Sequence, residues 1–516
     1  MAKRMTIRRM GRGLTITVGV AALLGGAPVA AQDSGAQRLL LSMDEALTMA
    51  LQTNLGLENE RLNLSVADEG IASARALFLP QLSSSFGRTT SESVPLDFTQ
   101  GSSTISSENV NVSGAVSQAL PFYGGGYSVV WSASRNEQAG GFSSFNPRVG
   151  STLRVNYTQP LLRNFSIDLN RATLETTQRR RAIADLQLEQ RIVNTEVQVR
   201  NAYLNLVAAS EAYKVSQQNM DLAETSLRQA RARVDVGVSP EIEIIQAQAQ
   251  VASNTDQLIA TEAAIDTAED ALRQLIMDPN HPDYWTVEIE PTDTIQLTQR
   301  TIEVDVAVAN ALADRLDMLT LLRNLEITDL NVRVGQNLTK ATLDLNVGYV
   351  AQGTGGTLLQ FGQGFPPPVV GEDVKSFGSV LGDTFGGAFP TWTLGLTFSY
   401  PLGRSSAEAN LAQQQIQRRQ QTISIRELEL QIVREVREAA RQVDTSYQRF
   451  LAQQANREAS DQQLLAEERR FAVGLSSTFE LQQRQSQLFF ARNAELTAMI
   501  NYNRALIRFD QVQRTQ

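Results

Sequence analysis

The chain has no cysteine and a single histidine, His281. The first absence excludes a disulfide framework, a thiolate zinc site, a thiol nucleophile and a lipid-modified cysteine at the N-terminus. The second leaves no Ser-His-Asp triad unless His281 serves it alone. No G-x-x-x-x-G-K-[ST] loop occurs, so the chain does not hydrolyse nucleotide by that route. Aromatic residues make up 6% of 516 positions, a supply that suits long helices with small-residue seams better than a large compact core. Basic residues are outnumbered by acidic ones, 46 to 55, for a net charge of −9. Five basic residues and no acid lie in residues 1–31, so their removal takes the net charge to −14. Phosphate neutralisation needs the opposite sign, which excludes nucleic acid as a partner. No convergent catalytic site and no metal or cofactor constellation is present, and the chain reads as a non-enzyme.

The first 31 residues read as an export signal. Lys3, Arg4, Arg8, Arg9 and Arg12 form a basic leader, Leu14 to Gly26 an apolar stretch, and Val29-Ala30-Ala31 a small-residue cleavage site. The apolar run is too short and too Gly/Pro-interrupted to span a bilayer, and no later run is apolar enough. A chain of this kind enters a membrane only as strands closed into a barrel, because open sheet edges are intolerable in lipid.

The body repeats once. E-A-L-T-M-A-L-Q-T-N-L-G-L from Glu45 matches V-A-V-A-N-A-L-A-D-R-L-D-M from Val306, at an offset of 261. Y-T-Q-P-L from Tyr157 matches F-S-Y-P-L from Phe398, at 241, and A-R-V-D-V-G-V-S ending at Ser239 matches R-F-A-V-G-L-S ending at Ser476, at 237. Three matches in one order with a falling offset indicate a duplicated unit, the first copy carrying about 20 extra residues before Tyr157. The pattern places the first repeat at 40–278, with strands at about 82–159 and a long helix at about 168–236. A link follows at 279–303. The second repeat spans 304–513, with strands at about 342–400 and a long helix at about 404–473.

Heptad steps run along both long helices: Ile183, Leu186, Val193, Val197, Leu204 and Val207 in the first, and Ile416, Ile423, Leu430, Val433, Ala440 and Tyr447 in the second. About 69 residues make roughly 100 Å at 1.5 Å per residue, and the shorter helices of each repeat, stacked end to end, match that height. Pro160 and Pro401 mark where strand gives way to helix. His281, among Pro279, Pro282, Tyr284 and Trp285, is expected to pack in a belt between the repeats.

Alternation marks the strands. Trp392, Leu394, Leu396, Phe398 and Tyr400 interleave with small and polar residues, as do Leu343 to Tyr349, Leu153 to Tyr157 and Tyr127 to Ala133. Segments of this kind fit a transmembrane barrel, although a soluble sheet with one buried face alternates alike. Two strands in the second repeat and two to four in the first, with an extra hairpin around Pro121 to Gly126, give four to six per chain. Single-chain barrels begin at eight, so closure requires several copies in cyclic symmetry.

With these features the sequence resembles the TolC-like outer-membrane efflux factors. The resemblance is carried by L-S-M-D-E-A-L at Leu41, F-L-P-Q-L at Phe78, T-Q-P-L-L at Thr158, Y-P-L-G at Tyr400 and the boxes at Gly237 and Gly474. It implies an α+β membrane protein: a homotrimer whose β-barrel, 12-stranded or with the extra hairpin 18-stranded, sits in outer-membrane lipid and continues as an α-helical coiled-coil barrel through the periplasm. It implies a passive exit duct of a tripartite efflux or type I secretion system in a Gram-negative envelope, docked to a periplasmic adaptor and an inner-membrane pump, with no cofactor. The adaptor-docking tips become Val236, Gly237, Val238 and Ser239, with Val473, Gly474, Leu475 and Ser476. The periplasmic gate becomes Glu243 and Glu480. Gln246 and Gln483 stand where family members carry a second acid, which departs from the double-acid gate. On the residues alone, Gly237 and Gly474 also read as helix C-terminal glycines, and the two glutamates as first-turn acids on a helix dipole. The competing reading is a structural coiled-coil surface protein without transport activity, and a third is an exported hydrolase.

Overall fold

The computed structural model describes residues 38–94, 104–139, 143–293, 297–364, 367–403 and 405–513. The export signal at 1–31 and the residue taken as the start of the second long helix, Arg404, lie outside the described residues. The first repeat runs β1 (Arg38–Leu41), α1 (Met43–Thr53), α2 (Leu55–Ala76), β2 (Gln81–Ser93), β3 (Ile105–Ala119), β4 (Gly126–Ala139), β5 (Phe145–Pro160), α3 (Leu169–Asp235) and α4 (Ile242–Ile276). The second, after β6 (Glu288–Pro291), runs α5 (Val304–Asp314), α6 (Leu316–Leu338), β7 (Thr342–Phe361), β8 (Val369–Lys375), α7 (Phe377–Gly386), β9 (Pro390–Ser399), α8 (Ser406–Ala472) and α9 (Thr478–Gln513).

The long helices begin at built caps. Asp168 accepts the Arg171 amide, and Ser405 and Glu408 form a reciprocal capping box, so orphan amides at both starts are met by side chains. Pro160 closes β5 and Pro401 follows β9, so each ends a strand and neither opens a helix. The columns match in height: α3 and α8 have 67 residues each, against 11, 22 and 35 in α1, α2 and α4, and 11, 23 and 36 in α5, α6 and α9. Near the strands the helices lie side by side in the order α2, α3, α6, α8. Away from them the order is α4, α3, α9, α8.

The core sits at mid-height. Leu41, Val199, Tyr203, Leu272 and Ile276 form one cluster, and Ile432, Val436, Val443, Tyr502 and Phe509 the other. Tyr203 donates to the Leu41 carbonyl at 3.0 Å, and burial pushes its phenol up to about 12. Glu269 pairs with Arg273 inside the protein and accepts the Ile289 amide at 3.0 Å, tying α4 to the parallel pair β1–β6. Burial raises its carboxyl above the ordinary carboxylate range. His281 does not pack in this belt: it is exposed, and its Nδ1 accepts only the Asp283 amide at 3.3 Å. Tyr284 is the buried aromatic of the link, edge-on to Trp285.

The heptad reading of α8 needs a second correction. Ile416, Ile423 and Leu430 are exposed, Leu430 at 74%, while Ile425, Ile432, Val436, Val443 and Phe450 face the chain's own core. One helix of this length carries two apolar stripes, and the heptad positions lie outward at Ile416, Ile423 and Leu430 but reach the chain's own core at Ala440 and Tyr447.

The sheet is antiparallel, in the order β2-β3-β4-β5-β7, with β9 along the lower half of β7 and β8 along its upper half. The described residues thus supply six strand positions, four of them from the first repeat. Alternation sorts the faces. Phe86, Val112, Trp131, Leu153 and Tyr349 lie on one face with Trp392, Leu394, Leu396 and Phe398, while Ser85, Asn111, Ser132, Thr152, Gly348 and Thr393 lie on the other.

Candidate functional site at the helical tip

The tip is built from the two turns that reverse the long helices. After α3 the Gly237 amide donates to Val234 at 2.8 Å and the Val238 amide to Arg233 at 2.9 Å. After α8 the Gly474 amide donates to Phe471 at 3.1 Å and the Leu475 amide to Arg470 at 2.9 Å. Both are Schellman motifs, which require a left-handed residue, and the glycines have φ of 74° and 78°. A Cβ at either would meet nothing within 4 Å, so the dihedral and not crowding selects glycine. Val236, Val238, Val473 and Leu475 all project into solvent. The hydrophobic contact that usually accompanies this motif is thus left open.

Glu480 is the third residue of α9, and its carboxylate accepts the Ser477 amide at 3.1 Å while the Glu480 amide donates to the Ser477 hydroxyl at 3.3 Å. The Ser477 amide, followed by the Ser476 hydroxyl, holds the carboxyl below its ordinary range. Glu243, at the start of α4, accepts from the Thr478 hydroxyl at 2.8 Å. The two repeats therefore meet at Thr478, which brings Glu243 within one side chain of the turn bearing Glu480. Gln246 and Gln483 are exposed one turn further along their helices. Ser239 is half-buried, and its amide donates to the Arg233 carbonyl at 3.3 Å.

Three further residues, Glu467, Arg233 and Phe471, shape the tip beside the two glycines. Glu467 is buried on α8, salt-bridged to Arg470, and accepts from the Ser476 hydroxyl. Its counterpart at the offset of 237 is Ala230, also buried. Arg233 stacks over Phe471 at 4.6 Å, joining the two turns. Between the turns lies a groove of about 740 Å³ lined by Leu222, Arg233, Val238, Phe471 and Leu481. Glu467 could be found only by knowing that the next turn returns Ser476 to it. Among the described residues there is no group of acids and histidines able to hold a metal ion, and no helix is long and apolar enough to cross a membrane.

The chain thus sets an amphipathic sheet with one apolar face at one end of two 67-residue helices. The family model of the outer membrane efflux proteins matches residues 111–276 and 305–512, and the chain belongs to that family. Its fold is similar to that of the CmeC outer membrane channel of Campylobacter jejuni, with a TM-score of 0.64, 14% identity, and coverage of 91% of this chain and 85% of that one. VceC of Vibrio cholerae gives 0.64 and 14%, over 91% and 95%. The open state of MtrE of Neisseria gonorrhoeae gives 0.60 and 15%, over 91% and 88%. No curated protein matches the chain by sequence. The protein is an outer-membrane efflux protein by family, and its fold is that of solved outer-membrane channels.

Proposed function

We propose that three copies of this chain close one barrel and one helical tube, forming the passive exit duct of a tripartite efflux system. The observation that carries this reading is the pair of unsatisfied flanks on a single chain. On the helical side the outermost columns are α2 and α8. Leu55, Leu62 and Val66 are exposed on α2, and Ile416, Ile423 and Leu430 on α8. Leu316 on α6 repeats Leu55, and its neighbour Arg315 bonds Glu435 on α8. That pairing sets the two stripes at one height, so α8 of one copy can receive α2 of the next as it receives its own α6. On the sheet side, β2 and β9 are free edges, intolerable in lipid. Six alternating strands return an antiparallel edge to the next copy, so three copies close eighteen strands, wide enough for an aqueous channel.

The remaining assignments follow from this assembly. The exposed aliphatic residues of the two glycine turns and the groove between them take a periplasmic adaptor, itself attached to an inner-membrane pump. Glu243 and Glu480 ring the periplasmic opening and focus cations there. The absent phosphate loop fits a duct driven by a separate pump, and export of proteins through the same route is a variant of this role. The test uses the full chain extracted in detergent, with mass by native mass spectrometry and conductance in planar bilayers. A threefold mass and a water-filled pore are expected. A single-copy mass without conductance would overturn the reading.

A further inference from the structure

We propose that α7 is an interfacial anchor seated in the outer leaflet of the membrane, on the outside of the barrel. The proposal rests on the barrel reading above. The helix occupies the connection between β8 and β9. Ser376 caps its start by accepting the Ser379 amide, and Gly387 ends it in the left-handed region beside the Tyr349 hydroxyl. Val380 and Thr384, at 0% and 1% exposure, press onto β7 and β5. They can do so because β7 carries Gly353 and Gly355 beneath them. A Cβ at Gly353 would stand 2.3 Å from the Val380 carbonyl, and one at Gly355 2.5 Å from the Val380 side chain. Ser151, fully covered, lies opposite Gly353 on β5.

Both glycines lie on the apolar face of the sheet, in the row that continues Leu343, Leu345, Val347, Tyr349 and Ala351. The helix therefore sits on the lipid side and not in the lumen. Its free apolar side is aromatic: Phe377, Phe385 and, just beyond the helix, Phe389 are 44%, 62% and 58% exposed. Asp383, its one charged residue, is neutralised by Lys375. The helix thus abuts the pair of half-buried Tyr349 and exposed Trp392, whose rings are 4.6 Å apart, in the manner of an interfacial aromatic belt.

Height supplies an independent argument. From Phe398 to Trp392 the lipid face of β9 spans six residues, roughly 20 Å along the strand and about 15 Å along the membrane normal at a tilt near 40°. A barrel's apolar band is about 25 Å tall. The shortfall of roughly 10 Å equals one helix diameter, and α7 lies on β7 directly beyond that pair. On β2 and β4 the same face ends instead in charge, with Arg88 paired to Glu108 and Arg135 to Glu137. The occupant of the exposed phenylalanine face is lipid, because that face continues the lipid-facing surface and the one charge of the helix, on Asp383, is paired with Lys375.

The cysteine-free chain allows single spin labels in the full protein reconstituted in phospholipid vesicles, at Phe385→Cys, Leu394→Cys and Thr393→Cys. The label at 385 is expected to collide more with oxygen than with a water-soluble nickel chelate, at a shallower depth than the label at 394. The label at 393, on the polar face, is expected to favour nickel. A nickel preference at 385 would place α7 in water, and protection from both reagents would place it under protein. Either result, with 394 still in lipid, overturns the anchor and leaves the barrel standing. A label at 394 that reports water would overturn the barrel and the anchor together.

Discussion

The two repeats agree where they are helical and differ where they are stranded. Their long helices have the same 67 residues, and their tips turn through the same motif at Gly237 and Gly474. Their strand regions share little beyond direction: the first holds two antiparallel hairpins, whereas the second holds β7, β9 and the inserted β8–α7 segment. In the proposed trimer the tube wall constrains height, because a short column would leave a gap at mid-height or at the tip. The proposed barrel constrains parity, because each chain must begin and end with antiparallel edges. Insertion of one whole hairpin preserves parity, and insertion of one strand does not.

The sharpest way to break this comparison is to change parity. Replacing β9 alone, residues 390–399, by a flexible linker of the same length is expected to abolish trimers in a native mass spectrum. Deleting residues 105–139 removes the hairpin β3–β4 and keeps parity. Trimers are expected to persist with a barrel about one third narrower and a conductance about half as large, since diameter grows with strand number. Next in size is the flank. Ile423→Glu with Leu430→Glu removes about 2–3 kcal/mol of burial per side chain at each contact between copies and is expected to dissociate the trimer in sedimentation, leaving monomer helicity intact by circular dichroism.

Smaller effects separate the two tips. Gly237→Val and Gly474→Val each force a side chain into the left-handed region at about 1–2 kcal/mol without a clash, since the surrounding space is open. Both variants are expected to assemble and to lose pump-dependent resistance, measured as the minimal inhibitory concentration of a pump substrate. Normal resistance would reduce the boxes to turns. The smallest effect is with pH. Glu480 is held below its ordinary range in the folded tip, so its capping contribution is present above the unfolded carboxylate value, near 4.5, and is lost as pH falls through the lower folded value. Below that range amide exchange is expected to quicken at the start of α9 but not of α4, whose cap residue Glu241 makes no side-chain bond.

The duplication, the columns of equal height, the glycine turns and most strands were legible in the sequence because each rests on a local period or a local dihedral. Tyr127 to Ala133 and Trp392 to Phe398 declared themselves by alternation, and Gly237 and Gly474 by position after a long helix. Alternation alone gives four to six strands, since pairing partners are chosen across the sheet. The heptad residues of α8 divide between an outward part, Ile416 to Leu430, and a core part, Ala440 and Tyr447, because apolar spacing cannot say which of two stripes meets the chain's own helices. Glu467 and α7 were missed for related reasons: the first acquires its partner only when the turn folds back, and the second is a short Gly-rich segment whose seat exists only beneath it, on β7.

Amino-acid order alone determined what one stretch of backbone can decide for itself: where helices start and reverse, how tall they grow, and which side of each strand is greasy. Tertiary structure decided everything requiring a second segment: the six-strand order, the seat of α7 over Gly353 and Gly355, and the bridge from Glu243 to Thr478. The physical reason is range. Dihedral preference and side-chain periodicity act within a few residues, whereas burial and hydrogen-bond satisfaction depend on what the fold brings alongside.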